Sequence, residues 1–137
     1  MDMSIKNISS EQAWINLMKD ESNVLIDVRT ESEWHKIGKP KLQPQLQNEL
    51  LLISWRVLPE MSVNPDFIET LKQHIKDKNT NIYFLCRSGA RSFEAAAFAE
   101  SNGYVNCFNI ADGFEGSHFG LGWKSNNLPW EFLENVS

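Results

Sequence analysis

Residues 82–92 read IYFLCRSGARS, and this stretch decides the fold class of the chain. Its first four residues form a continuous apolar run, typical of a strand buried on both faces. The polar residues from 86 to 92 predict a loop, and the alanine-rich residues from Phe93 to about Glu100 predict a helix. A buried strand followed at once by a loop and a helix indicates a βαβ unit.

The same alternation continues on both sides of this stretch. Further apolar strands are expected at 24–28, 50–55 and 104–110, and Gly38 and two prolines indicate a loop at 38–44. One helix is expected after Ser9, which has capping-box spacing to Gln12, and another after the Asn64-Pro65 pair as cap and first turn. In the first helix the apolar residues Ala13, Trp14, Leu17 and Met18 fall at helical intervals, and the second helix is predicted to bury Phe67, Ile68, Leu71 and Ile75. We therefore predict an α/β fold with a central, mainly parallel sheet flanked by helices on both faces.

Length and composition limit the classes of function. A chain of 137 residues is suited to a single domain, predicted over 1–137. Its 13 Lys+Arg against 18 Asp+Glu give a net charge of −5, which argues against nucleic-acid binding. No secretory signal or apolar run of membrane-spanning length is visible, so we expect a cytoplasmic protein without a membrane partner.

The loop after the 82–85 strand has the features of an anion-binding site around a nucleophile. It lies where a parallel sheet binds ligands, beyond the carboxyl end of a strand. Backbone N–H groups of a curved loop and of a helix start can converge on an anion, and Gly89 permits the tight turn. Arg87 and Arg91 add positive charge, together with the lysines at 72, 76 and 78 earlier in the chain. These features favour the thiolate form of Cys86, so we predict Cys86 as the catalytic nucleophile.

The remaining loop residues and the second cysteine have separate interpretations. Substrate-binding roles are predicted for Arg87, Ser88, Gly89, Ala90, Arg91 and Ser92. Ser92 has two open interpretations, a hydroxyl donor to the site or a cap of the following helix. Cys107 lies within an apolar strand without nearby cations, so it is predicted to be inert core.

The loop sequence at 86–92 resembles the active-site loop of the rhodanese-like sulfurtransferases. A second segment, IDVRTESEW at 26–34, is similar to the family's Asp-Val-Arg-x-x-x-Glu-aromatic segment, and a third, from Gly103 to Phe114, resembles the strand and glycine-rich turn after the catalytic helix. The residues around 122–130 look like the end of a bacterial single-domain member. The chain departs from the family pattern at 37–48, where a Gly-His-Ile-Pro-Gly-Ala segment is usual.

The resemblance implies a two-step sulfur transfer without a cofactor. The loop cysteine would take a sulfane sulfur from a donor such as thiosulfate or a persulfide, hold it as a persulfide, and pass it to a thiol or protein acceptor. Asp27, Arg29 and Glu33 correspond to a charged patch of the family, which we interpret as a structural ion-pair network between a strand and its following helix. His35, His74 and His118 lack ligand spacing, so no metal site is predicted.

Other functions remain open at this point. A cysteine-based phosphatase uses a similar loop, but five residues separate its Cys and Arg, whereas four separate Cys86 from Arg91. An arsenate reductase also uses a thiolate. A non-enzymatic regulatory module, or a relay passing sulfur to a dedicated partner, is the third alternative.

Overall fold

The computed structural model describes residues 5–135 of the chain. In chain order the elements are β1 (Lys6–Ile8), α1 (Ser10–Lys19), β2 (Val24–Asp27), α2 (Glu31–Lys36), β3 (Lys39–Pro40), β4 (Leu50–Leu52), β5 (Arg56–Val57), β6 (Ser62–Val63), α3 (Phe67–His74), β7 (Asn81–Leu85), α4 (Ala90–Ser101), β8 (Asn106–Ile110) and β9 (Trp130–Glu131). No helix in this described part of the chain is long and apolar enough to span a membrane.

The central sheet has five strands in the order β1-β8-β7-β2-β4, and every pairing in it is parallel. The carboxyl ends of all five strands therefore meet at one edge. Cys86 directly follows β7, the middle strand, so it lies at the centre of that edge. The predicted α/β class and parallel sheet are confirmed.

Helices cover both faces of the sheet, as predicted. Because side chains alternate along a strand, β2 and β7 contribute to two separate apolar cores. Ile26 and Phe84 belong to a core shared with α3 and α4, whereas Leu25 and Leu85 belong to one shared with α1. Three alanines let α4 lie close to the sheet, and all three are fully buried: Ala95, Ala96 and Ala99.

The starts of α1 and α3 can be compared with the capping residues that predicted them. Ser9 caps α1 and accepts a hydrogen bond from the Gln12 N–H, as its spacing predicts. The prediction for α3 was two residues early, because the Asn64 side chain accepts from the Asp66 N–H and forms a turn before the helix. Of the apolar residues at helical intervals on α1, Ala13 and Leu17 are buried, whereas Met18 is 53% exposed.

Two strand predictions and one loop prediction need correction. The run at 50–55 pairs as β4 only to Leu52, and the run at 104–110 pairs only from Asn106, because Tyr104 still donates to a carbonyl of α4. The segment 38–44, predicted as loop, contains β3, which pairs antiparallel with β9. That pairing joins residues about 90 positions apart, which no local pattern reveals.

Candidate active site

Cys86 is held at the carboxyl edge of the sheet by backbone pairing with a later turn. Its carbonyl accepts a hydrogen bond from the Phe114 N–H at 2.8 Å, and the Arg87 carbonyl accepts from Glu115 at 3.0 Å. The Cys86 residue is only 1% exposed and contributes to the core under α4. The sulfur atom is therefore in a fixed position beneath the loop.

Two polar groups lie close to the sulfur. The Gly89 N–H donates to Cys86 Sγ over 3.1 Å, and Ser92 Oγ lies 3.1 Å from the same atom. Helix α4 begins at Ala90, three residues earlier than predicted, so the loop is shorter and the first-turn N–H groups of the helix follow Cys86 by only four to six residues. Such N–H groups have no intrahelical acceptor and carry the positive end of the helix dipole. The Gly89 N–H is thus directed at the sulfur from the amino-terminal end of α4.

Gly89 is required for this geometry. Its φ is +100°, in the left-handed region, and it occupies the N-cap position of α4 without any side-chain cap. A Cβ at this position would lie 2.5 Å from the carbonyl oxygen of Ala111, which is backbone and cannot move aside. Only glycine allows the chain to turn here and to direct the N–H at sulfur.

We predict that Gly89→Ala destabilises the fold by at least about 2 kcal/mol, because left-handed strain adds to a backbone clash. Displacement of the sulfur should also lower any activity of Cys86 by about 10²-fold. Urea unfolding and steady-state kinetics measure the two effects. Gly103→Ala is the matched control, since Gly103 has a φ of +99° but a Cβ there meets only Lys78 side-chain atoms, at 3.8 Å or more. Equal losses in the two variants would contradict the role of the Ala111 contact.

Ser92 faces the sulfur and does not cap the helix, so the capping interpretation was wrong. Its hydroxyl lies within hydrogen-bond distance of both Cys86 Sγ and Asn109 Oδ1. Asn109 Nδ2 donates to the Gly89 carbonyl at 3.1 Å and to Asn7 Oδ1 at 2.9 Å, so the oxygen of its amide faces Ser92. One buried amide thus connects the loop glycine and the serine.

Sequence reasoning missed Asn109. Its side chain is 3% exposed and extends from β8, one strand away from Cys86. The available signal was a polar residue within an otherwise apolar strand, because a buried amide needs partners. Which partners it has depends on the strand order, and the sequence does not state that order.

Both loop arginines are paired with carboxylates. Arg91 forms a bidentate pair with Glu33 of α2, with Nη1–Oε1 and Nη2–Oε2 distances of 2.7 and 2.9 Å. Burial alone would raise the pKa of Glu33, but the hydrogen bonds from Arg91 and Thr30 outweigh it and lower the pKa. The hydrogen bond to Glu33 raises the pKa of Arg91. Arg87 is 67% exposed and its Nε lies 3.3 Å from a Glu115 oxygen.

The lowered pKa of Glu33 gives a stability prediction with a defined sign. A depressed carboxyl pKa contributes stability above the ordinary glutamate value of about 4.3, and this contribution is lost as the pH falls through the lower folded value. Glu33→Gln should therefore reduce the unfolding free energy by about 1 kcal/mol or more at pH 7, and by progressively less below about pH 4. Urea unfolding across pH 3–7 measures the difference. A difference that does not change with pH would contradict the assignment. Glu31→Gln is the control, because Glu31 is 76% exposed.

Lys78 does not lie near the loop, so the prediction was wrong for this lysine. Lys78 Nζ donates to the Asn102 carbonyl at the carboxyl-terminal end of α4. The loop lies at the other end of this helix, about 18 Å away at 1.5 Å per residue. Sequence proximity misled here because β7 runs the length of the sheet between the lysines and Cys86.

Asp27 and Arg29 form a buried ion pair, in agreement with a structural network. Both side chains are 0% exposed, and Arg29 Nη2 lies 2.7 Å from Asp27 Oδ2 and donates to the Gly38 carbonyl, also at 2.7 Å. The pair therefore attaches the end of β2 to the segment after α2. Glu33 is not part of it, since Glu33 pairs with Arg91.

Cys107 differs from Cys86 in its surroundings. It is 3% exposed, and burial raises its pKa to about 12, so it is a thiol at neutral pH. Both cysteines are free. Within residues 5–135, no cluster of three or more His, Cys, Asp or Glu side chains could hold a metal ion.

Comparison with known proteins extends over nearly the whole chain. A family model described as the STR4 middle domain matches residues 5–135. The "Uncharacterized protein RP600 homolog" of Rickettsia rickettsii is 46% identical over 131 residues, covering 95% of this chain and 100% of that protein. A protein named "Sulfurtransferase" from Allochromatium vinosum is 31% identical over 125 residues, covering 91% and 94% of the two chains. The crystal structure of Rv0390 from M. tuberculosis superposes with a TM-score of 0.83 at 35% identity, covering 94% and 98%.

Proposed function

This chain belongs to the rhodanese-like sulfurtransferase family, and on that premise we propose that it moves a sulfane sulfur from a donor such as thiosulfate to a nucleophilic acceptor through a persulfide on Cys86. The observation that carries the proposal is the Gly89 N–H at the start of α4, which donates to Cys86 Sγ over 3.1 Å. This N–H and the positive end of the α4 dipole favour a negative sulfur in an otherwise buried position.

In the first step the Cys86 thiolate attacks the outer sulfur of thiosulfate. A new S–S bond forms at Sγ, the S–S bond of thiosulfate breaks, and sulfite leaves with the electron pair. The transferred sulfur then occupies the concave side of the loop, where the first-turn N–H groups of α4 can solvate its charge. No oxidant or reductant is needed.

In the second step an acceptor nucleophile removes the outer sulfur and Cys86 returns as a thiolate. The two displacements predict ping-pong kinetics. The cycle requires Cys86 as a free thiol, which fits a cytoplasmic location with a small sulfur donor and a thiol or protein acceptor.

Intact-mass spectrometry before and after thiosulfate treatment tests the proposal. We expect a gain of one sulfur atom, located on the peptide that contains Cys86, with release of one equivalent of sulfite. Cys107→Ala should gain the same mass, since Cys107 is buried and protonated. No mass gain, or a gain on Cys107, would contradict the proposal. Cys86-dependent hydrolysis of an aryl phosphate would favour a phosphatase instead.

A further inference from the structure

A small apolar cavity lies beside the Cys86 loop and has no part in the two steps above. Its volume is about 270 Å³, and Ser88, Gly89 and Ala90 form one wall. Gly89 is also the residue whose N–H lies 3.1 Å from Cys86 Sγ. The cavity and the reacting sulfur are therefore separated by a single residue of backbone.

Aromatic side chains define the chemistry of the cavity. Phe93 of α4 and Phe119 of the loop after β8 line it, and His118 packs on Phe119 with ring centroids 4.3 Å apart. Phe119 is 60% exposed, although an aromatic ring of this size is usually covered. None of the described residues that line the cavity is Lys, Arg, Asp or Glu.

The charges around the loop also favour an uncharged organic group. Arg91 is held by Glu33 in a bidentate pair, and Arg87 lies beside Glu115. The nearest guanidinium groups are thus compensated by carboxylates. An apolar carbon group would gain free energy by burying against the phenylalanines, whereas a carboxylate in the cavity would lose hydration without gaining a cation.

We propose that this cavity binds the carbon group of the sulfur acceptor, and that the acceptor is a small thiol with an apolar or aromatic substituent. The inference rests on the proposed function. A cavity of about 270 Å³ is slightly smaller than the usual range for drug-sized ligands, which suits a group of one ring rather than a protein segment.

The transfer balances without a further reactant. The acceptor thiol RSH gives its proton to the outer sulfur of the Cys86 persulfide, Cys86–S–S⁻, and its own sulfur forms a bond to that atom. The bond between Sγ and the outer sulfur breaks, and its electron pair returns to Cys86 as thiolate. The proton stays on the transferred sulfur, and the product is the organic persulfide R–S–SH.

Acceptor kinetics with thiosulfate as donor test the inference. In a ping-pong cycle, kcat/KM for the acceptor reports only the second step, so the donor step is an internal reference. Phe119→Ala should lower kcat/KM for benzyl mercaptan by about 10-fold, the effect of losing one aromatic contact. The kcat/KM values for the acceptors cyanide and mercaptosuccinate, and for the donor thiosulfate, should change less than about 2-fold. Leu121→Ala is the matched control, because Leu121 is 65% exposed on the same loop but does not line the cavity.

The outcomes separate the inference from the proposed function. Phe119→Ala could lower kcat/KM for all acceptors by the same factor, or leave kcat/KM for benzyl mercaptan unchanged while cyanide is still consumed. In either case the cavity does not bind the acceptor, and only the inference fails. An equal loss in Leu121→Ala has the same consequence. If thiosulfate adds no sulfur to Cys86 of the wild-type protein, the proposed function fails and the inference fails with it.

Discussion

Replacing Cys86 with serine is expected to lower the rate of sulfur transfer from thiosulfate to cyanide by about 10⁴-fold or more, the scale of loss found when an enzyme loses its nucleophile. A serine hydroxyl is not ionised at neutral pH and cannot form the persulfide. The Gly89 N–H and the Ser92 hydroxyl would then surround an oxygen that does not attack sulfur. Steady-state thiocyanate formation measures the effect.

Cys107→Ala provides the comparison for this experiment. Cys107 lies on β8 in the core shared with α4, where its Sγ makes a long contact with the Tyr104 carbonyl, at 3.5 Å. We expect the turnover of Cys107→Ala to stay near that of the wild-type protein. Substantial turnover by Cys86→Ser would show that another group carries the sulfur.

The second large effect concerns the buried ion pair. Arg29→Met is expected to reduce the unfolding free energy at pH 7 by about 3–5 kcal/mol, because it leaves a buried carboxylate without its counter-charge. Asp27 is 0% exposed, and its two carboxylate oxygens each accept a hydrogen bond from the Arg29 side chain. A loss of this size is a large part of the stability of an ordinary domain. Urea unfolding monitored by tryptophan fluorescence measures it.

Two further variants isolate the cause. The double variant Asp27→Asn with Arg29→Met removes the buried negative charge itself. Its unfolding free energy should therefore fall by less than that of Arg29→Met alone. Arg56→Met breaks the exposed pair with Glu94, whose side chains are 34% and 50% accessible, and should have an effect below about 1 kcal/mol. If Arg29→Met reduced the unfolding free energy no more than Arg56→Met does, the buried pair would not stabilise the fold.

Local sequence signals predicted the elements better than their ends. The strand before Cys86 and the cap of α1 follow from periodicity and from one side chain at the correct spacing. The start of α4 was three residues off, because its N-cap is a glycine with φ +100° and no side-chain signal. The start of α3 was shifted by an Asn side chain that can either cap a helix or close a turn.

The candidate site divides in the same way. The nucleophile, the need for Gly89 and the resemblance to the rhodanese-like family all follow from residues contiguous in the chain. The partners of Arg91 and Ser92 do not, since Glu33 is 58 residues from Arg91 and Asn109 is 17 residues from Ser92. The prediction that positive charge surrounds the loop was therefore incomplete. A count of charged residues in the sequence cannot show which carboxylate lies opposite each guanidinium.

The sequence by itself determined the α/β alternation and the position of the reactive cysteine between a buried strand and a helix, because periodicity, turn residues and the order of elements act over a few residues. The tertiary structure alone decided which charges are compensated, which amide connects Gly89 to Ser92, and that Phe93 and Phe119 meet beside the loop. Those contacts depend on strand order and on the path of the chain after β8. They form only when segments distant in sequence pack against one another.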